Sequence, residues 1–250
     1  MSTIDVKKYL DSTYLKTPQQ AGISEDETKQ KVYDLTDEAL AEGFFEVMIR
    51  PNFVKEIKQY IASKGTDVKV GTVIGFHEGT YSVEEKLAEA QQAIEDGVDE
   101  LDYVINYEAY KNGDVAIIEK EFVSCTKLAL DHGKTAKWII EIAALSDAQI
   151  AEITSLIRQW SEENFKDHLS MIFVKSSTGF YKTEDGKPNG ATFEGIKIML
   201  ENAGKLPVKA AGGVKSPEDA VKMIELGVQR IGTSSAKALV GKSSSSEGGY

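Results

Sequence analysis

Eight short apolar runs, each followed by a stretch of helical periodicity, constrain this chain more than any other feature. The runs fall at residues 9–15, 44–49, 68–76, 100–105, 136–142, 170–174, 207–210 and 229–232. Strands alternating with helices build right-handed βαβ units and a parallel sheet. The 250 residues give eight units of about 31 residues each, the size of one such unit. The expected fold is therefore an α/β chain closed into a single (β/α)8 TIM barrel. A flat doubly wound sheet is the alternative. The count of eight and the lack of an early G-x-G-x-x-G favour the barrel.

The intervening segments carry helix punctuation. Ser24 with Glu27, Ser82 with Glu85 and Ser146 with Gln149 fit capping boxes. Each precedes an apolar stripe: Val32, Leu35, Ala39; Leu87, Ala90, Ile94; Ile150, Ile153, Ile157. Gly43 and Gly97 stand where the first two helices should end. Ser216-Pro217-Glu218-Asp219 opens another helix that Gly227 closes. No internal linker is visible. Residues 1–240 are expected to form one barrel domain, and the Ser- and Gly-rich stretch 241–250 a flexible tail.

A barrel places its chemistry at the C-terminal ends of its strands. Asp102, Lys137, Lys175 and Lys209 lie in four successive runs, 35, 38 and 34 residues apart in turn, about one βα unit each. Lys137 sits near the start of its run, and Lys175 directly follows its own, ending S-M-I-F-V-K. Taken singly, a lysine at a strand end is usually a cation whose stem lies on apolar surface while its head reaches water. Two lysines and an acid converging in one pocket are electrostatically costly, which points to function.

Amine catalysis uses such a set. A neutral lysine adds to a carbonyl, the resulting iminium draws electrons, and a carbon–carbon bond forms or breaks. Free lysine titrates near ~10.4 and is nearly all ammonium at neutral pH. A second ammonium and partial desolvation lower that value. The pattern makes Lys175 the nucleophile, Lys209 its perturbing neighbour, Asp102 the proton-transfer group and Lys137 the partner that holds Asp102. Glycine and serine segments follow three of the late strands: Ser176 to Gly179, Ala211-Gly212-Gly213 and Gly232 to Ser235. Loops after strands 7 and 8 of barrels commonly bind phosphate through backbone N–H groups.

Composition narrows the partners. The formal net charge of -11 argues against nucleic acid or an anionic membrane surface. A single cysteine, Cys125, excludes an intramolecular disulfide, and His77, His132 and His168 are scattered, so no metal is expected. Without a signal-like N-terminus or a run of ~20 apolar residues, a soluble cytoplasmic protein is expected.

At V-K-S-S-T-G (174–179), V-K-A-A-G-G-V-K (208–215) and E-L-D-Y-V-I-N-Y (100–107) the chain resembles deoxyribose-phosphate aldolases. K-W-I-I-E (137–141), G-T-V-I-G-F (71–76), Y-L-D-S-T-Y-L (9–15) and R-I-G-T-S-S (230–235) match in the same order, so the resemblance spans about residues 5 to 240. It implies reversible cleavage of 2-deoxy-D-ribose 5-phosphate to D-glyceraldehyde 3-phosphate and acetaldehyde. It implies a Schiff base on Lys175, lowering of its pKa by Lys209, proton transfer by Asp102 and support of Asp102 by Lys137. Gly179, Gly212, Gly213, Ser234 and Ser235 become phosphate-side contacts, and Thr13 a substrate-site residue. The terminal Tyr250 becomes a proton-transfer group in the enamine step. No cofactor or metal is implied, and a homodimer is.

Four places depart from the family pattern. His77 replaces a usual proline, Phe180 stands where some members have lysine, the loop 181–189 is long, and Met48 stands where several relatives have cysteine. These bear on substrate range rather than reaction type. Two other readings compete: another class I, transaldolase-like enzyme acting on a different sugar phosphate, and a non-catalytic sugar-phosphate-binding barrel. The second would keep the glycine loops and lose the lysine pair.

Overall fold

A computed structural model of the protein describes residues 4–184 and 186–240. Eight parallel strands close into a barrel in sequence order, with β1 (Leu10–Tyr14) pairing both β2 (Glu46–Ile49) and β8 (Arg230–Thr233). Between them lie β3 (Lys69–Ile74), β4 (Glu100–Val104), β5 (Thr135–Ile139), β6 (Ile172–Lys175) and β7 (Val208–Ala211). The connections from β1 to β2 carry α1 (Pro18–Ala21) and α2 (Glu25–Glu42), and α3 (Val54–Ser63) and α4 (Val83–Glu95) follow β2 and β3. After β4 come α5 (Tyr107–Lys111) and α6 (Val115–Asp131), then α7 (Asp147–Asn164), α8 (Phe193–Ala203), α9 (Pro217–Leu226) and α10 (Ala236–Leu239) after the remaining strands. Among the described residues, no helix is long and apolar enough to cross a membrane.

All three expected capping boxes form, each with the serine side chain accepting from the N3 amide. A fourth, Thr17 with Gln20 before α1, was not anticipated, although Pro18 at N1 is a signal for it. Gly43 caps α2 in the left-handed region at φ 72°. Gly97, the expected cap, stands one place past the observed one: Asp96 is the C-cap of α4, and Gly97 turns the chain at φ 93°.

The eight expected strands are all present, with ends displaced by at most three residues. The run 136–142 shows why. Only its first part is strand, because β5 ends at Ile139 and Ile142–Ala144 winds into a 3-10 turn. Lys137 therefore sits in mid-strand rather than at the start. Apolar character continued past the strand because Ile140 and Ile142 are still buried.

Side chains of successive strand residues point to opposite faces. One face of each strand packs under the helices, where Val47, Ile49, Tyr103, Trp138 and Val174 are fully buried. Burying one such side chain contributes roughly 1.5–3 kcal/mol. The opposite face fills the barrel, and much of it is charged. Asp11, Glu46, Glu100, Asp102, Lys137, Lys175, Lys209 and Arg230 all lie inside, each less than a tenth exposed.

Candidate active site

Register brings the four anticipated groups together. Asp102 on β4 pairs with Lys137 on β5, and Lys175 on β6 pairs with Lys209 on β7. Asp102 is the hub. Its Oδ1 accepts from Lys137 Nζ at 2.8 Å, and its Oδ2 accepts from Lys175 Nζ at 2.7 Å and Lys209 Nζ at 2.9 Å. Burial by itself would raise the Asp102 carboxyl. The ammonium groups of Lys137, Lys175 and Lys209 override it and hold the group well below the usual carboxylate range.

Lys175 is lowered to about 8, first by burial and then by Lys209 and Lys137, against the pull of Asp102. Burial, rather than the neighbouring ammonium, is thus the larger cause of its activation. Lys137 goes the other way. Burial opposes its charge, but Asp102, Glu100, Glu46 and Asp11 hold it well above the usual range, as a fixed cation.

Beneath this layer lies a second one. Arg230 Nε donates to Asp11 Oδ1 at 2.7 Å, and its NH2 lies 3.0 Å from Glu46 Oε2. Its guanidinium rests 3.6 Å from the Phe45 ring centroid and closes the N-terminal end of the barrel. Lys209 Nζ bridges the layers, 2.6 Å from Asp11 Oδ2, while Lys137 Nζ lies 2.5 Å from Glu100 Oε2. Sequence reasoning quoted Asp11, Glu100 and Arg230 inside motifs without giving them roles, and passed over Glu46. The signal was there: each stands two residues, or a multiple of two, from an inward residue of its own strand, as Glu100 does from Asp102.

The glycine loops gather at the C-terminal end. Gly179, Gly212 and Gly213 all have positive φ, at 79°, 68° and 74°. A Cβ on Gly212 would lie 3.3 Å from Gly190 Cα and 3.9 Å from Gly179 Cα, so the loops after β6 and β7 meet there backbone to backbone. The Gly212 N–H donates to Gly232 O at 3.0 Å and is spent on joining the loop after β7 to strand β8. The Ser235 N–H likewise donates to Thr233 Oγ1 at 3.1 Å. The Ser234 and Ser235 side chains are exposed after β8. Thr13 lies on the inward face of β1, two residues above Asp11, and donates to Asp11 O at 2.9 Å. Tyr250 lies outside the described residues.

Glu141, at the end of the K-W-I-I-E segment, was not expected to matter. It is the only described non-glycine residue with positive φ, 55°, which costs about 1 kcal/mol or more. Its buried carboxylate accepts from both the N–H and the hydroxyl of Thr178. Thr178 Oγ1 in turn accepts from Phe180 N at 3.0 Å. The strained residue thus pins the loop that follows Lys175.

Above the lysines a cleft of about 630 Å³ opens among the loops after β1, β3, β4 and β6. Lys16, His77, Tyr107, Phe180, Tyr181 and Lys182 line it. Three of the four departures from the family pattern meet here: His77 stacks on Phe180 at 5.4 Å, and the long loop contributes Tyr181 and Lys182. Tyr181, from the long loop, packs edge-on against Tyr107 at 5.9 Å. Met48 is elsewhere, wholly buried on the inward face of β2 against Gly71. Among the described residues, no group of three or more His, Cys, Asp or Glu side chains has the geometry to hold a metal ion.

The family model for DeoC/LacD family aldolases matches residues 10–243. A deoxyribose-phosphate aldolase of Thermococcus gammatolerans is 38% identical over 241 residues, covering 96% of this chain and 97% of that protein. A crystal structure of a putative deoxyribose-phosphate aldolase from Coccidioides immitis superposes with a TM-score of 0.77 at 31% identity, over 93% of this chain and 83% of that one. The deoxyribose phosphate aldolase of Aeropyrum pernix, described as a unique tetramer, gives 0.74 at 30% identity over 94% of this chain and 89% of that one.

Proposed function

The chain belongs to the DeoC/LacD family of aldolases, and from that membership we propose that it reversibly cleaves 2-deoxy-D-ribose 5-phosphate to D-glyceraldehyde 3-phosphate and acetaldehyde. The observation that carries the reading is a buried Lys175 with its pKa lowered to about 8, hydrogen-bonded to an ionised Asp102. At pH 7.5 roughly a quarter of such a lysine is free amine, against about 0.1% at the ordinary value.

The Lys175 amine adds to the C1 carbonyl of the open-chain sugar. Asp102 accepts and returns protons as the carbinolamine forms and loses water, with Lys209 on the same oxygen as the relay partner. The iminium then accepts the C2–C3 electron pair as the C3 hydroxyl gives up its proton. Glyceraldehyde 3-phosphate leaves, and the enamine is protonated at C2 and hydrolysed to acetaldehyde. Because the iminium is the electron sink, no step calls on a metal or cofactor, and EDTA should leave turnover intact. The glycine loops with Gly179, Gly212, Gly213, Ser234 and Ser235 take the phosphate end, with the N–H groups of Gly212 and Ser235 framing rather than contacting it. Thr13 contacts the substrate from the first strand. Tyr250 serves proton transfer at the enamine carbon. The molecule works as a homodimer, which sedimentation analysis would test against a monomer or tetramer.

Borohydride reduction with acetaldehyde present should add a two-carbon unit at Lys175. A label on another lysine alone, or full activity in Lys175→Ala, would overturn the assignment. Failure of acetaldehyde to turn over, with another donor accepted, would move the chain to a different class I aldolase activity.

A further inference from the structure

Glu141 stands where β5 stops keeping step with β6. Up to Ile139, which faces Lys175, the two strands pair residue for residue. Beyond it the Ile140 N–H donates to Lys175 O at 3.0 Å and the Ile142 N–H to Ser176 O at 2.9 Å. In a regular parallel ladder a donor two residues further on takes the carbonyl two residues further on, which here would be that of Ser177. One residue on the β5 side is therefore extra, and it is Glu141, at φ 55°. A bulge of this kind re-aims a side chain. Here it turns a wholly buried carboxylate onto the loop after β6.

That loop is fixed one peptide at a time. The Thr178 N–H and hydroxyl both donate to Glu141 Oε2, the amide at 3.1 Å. The same hydroxyl oxygen accepts from the Phe180 N–H at 3.0 Å, and the Gly179 carbonyl accepts from Asn189 Nδ2 at 3.1 Å. The peptides on either side of the Thr178–Gly179 bond are thus both held. The Gly179 N–H between them donates to no backbone carbonyl among the described residues. A Cβ on Gly179 would meet nothing within 4 Å, so open space lies beside it, next to Gly212 of the loop after β7.

We infer that Glu141 is a positioning residue for the phosphate end of the substrate: it holds the Thr178–Gly179 peptide so that the Gly179 N–H stays presented to an anionic oxygen, and it takes no part in the chemistry at Lys175. The inference rests on the sugar-phosphate reading proposed above. Glu141 touches no substrate and acts through Thr178. Its Oε1 is buried and has no hydrogen-bond partner among the described residues, so Oε2 alone makes the grip. That grip depends on reach rather than charge, because an amide oxygen can accept the same two bonds. A strained backbone persists where its surroundings over-determine it. Glu141 is held from two sides, by β6 through Ile140 and Ile142 and by Thr178 through its carboxylate.

The test separates the phosphate end from the lysine end. Glu141→Asn puts a residue that tolerates positive φ at the bulge, one methylene too short to reach Thr178. Its KM for deoxyribose 5-phosphate should rise about 10-fold or more as the loop loses two bonds to a carboxylate. Exchange of acetaldehyde protons with heavy water needs Lys175 but no phosphate, and should stay within about twofold of wild type. Glu141→Gln should bring KM back to within about threefold of wild type. An unchanged KM in Glu141→Asn, or an equal loss in cleavage and in acetaldehyde exchange, would overturn the inference. Slowed exchange in Glu141→Gln would overturn it too, by making the charge felt at Lys175 the function. If Glu141→Asn does not fold, Thr178→Val releases the same carboxylate from the other side and carries the same comparison. A wild type that exchanges acetaldehyde but does not cleave deoxyribose 5-phosphate would refute the proposed substrate instead.

Discussion

Replacing Lys209 with methionine keeps the stem, removes the charge and should make Lys175 harder to deprotonate. Lys209 and Lys175 donate to the same Asp102 oxygen, at 2.9 and 2.7 Å, which places their nitrogens roughly 4–5 Å apart. At the effective dielectric of such sites, two like charges at that distance repel by about 3–4 kcal/mol, a ceiling of about two to three pK units. Burial is the larger cause of the depressed Lys175 value and survives the substitution. Water entering near the shortened side chain weakens the rest. The expected result is an acidic limb of kcat/KM moved upward by about one to two pH units. At pH 7.5 that corresponds to a loss of roughly 10- to 80-fold, largely recovered by pH 10. The assay is a pH–rate profile for deoxyribose 5-phosphate cleavage, coupled to acetaldehyde reduction. A limb that stays near 8 with a loss equal at every pH would refute the charge argument and make Lys209 a group acting directly on the reacting atoms.

Three further outcomes are expected. Lys175 has a folded value of about 8, below its unfolded one. The unfolded state therefore binds more protons between pH 8 and about 10.4, and the ammonium destabilises the fold below that window. Lys175→Met should be more stable than wild type by about 2–3 kcal/mol at pH 7, with the gain fading as pH rises through 8 toward 10.4; urea melts with a pH-independent difference would refute this. Lys86 is fully buried in α4, donating to Gly79 O, Val104 O and Glu121. Lys86→Met should cost about 3–5 kcal/mol by stranding Glu121, and adding Glu121→Leu should restore much of it; thermal denaturation of the single and double variants decides. Gly213 has φ 74°, and a Cβ there would strike Ala191 O. Gly213→Ala should cost about 2 kcal/mol and raise KM for the sugar phosphate more than it lowers kcat; an unchanged KM would separate this loop from phosphate binding.

The barrel and its catalytic hub were legible in the chain because both depend on short-range rules. Short apolar runs, capping serines at Ser24, Ser82 and Ser146, and lysines one βα unit apart are local patterns. Parallel register then brings residues at like depth side by side. The same logic reached its limit where a charged residue is expected to face water. Lys86 lies on the buried face of α4 because Glu121, 35 residues away, meets it there. Glu46 was passed over because its partners Lys137 and Arg230 come from β5 and β8, and only closure of the barrel sets them around it.

The amino-acid sequence by itself determined the alternation, the strand count, the inward position of Asp102, Lys137, Lys175 and Lys209, and the loops that carry glycine. Tertiary structure decided how those charges are coupled: that Lys209 is shared between Asp102 and Asp11, that burial outweighs like charge in lowering Lys175, and that Arg230 seals the floor over Phe45. The physical reason is range. Backbone periodicity fixes which face a side chain takes within a few residues of chain. Electrostatic energy depends on through-space distance and on excluded water, and neither exists until eight strands have closed.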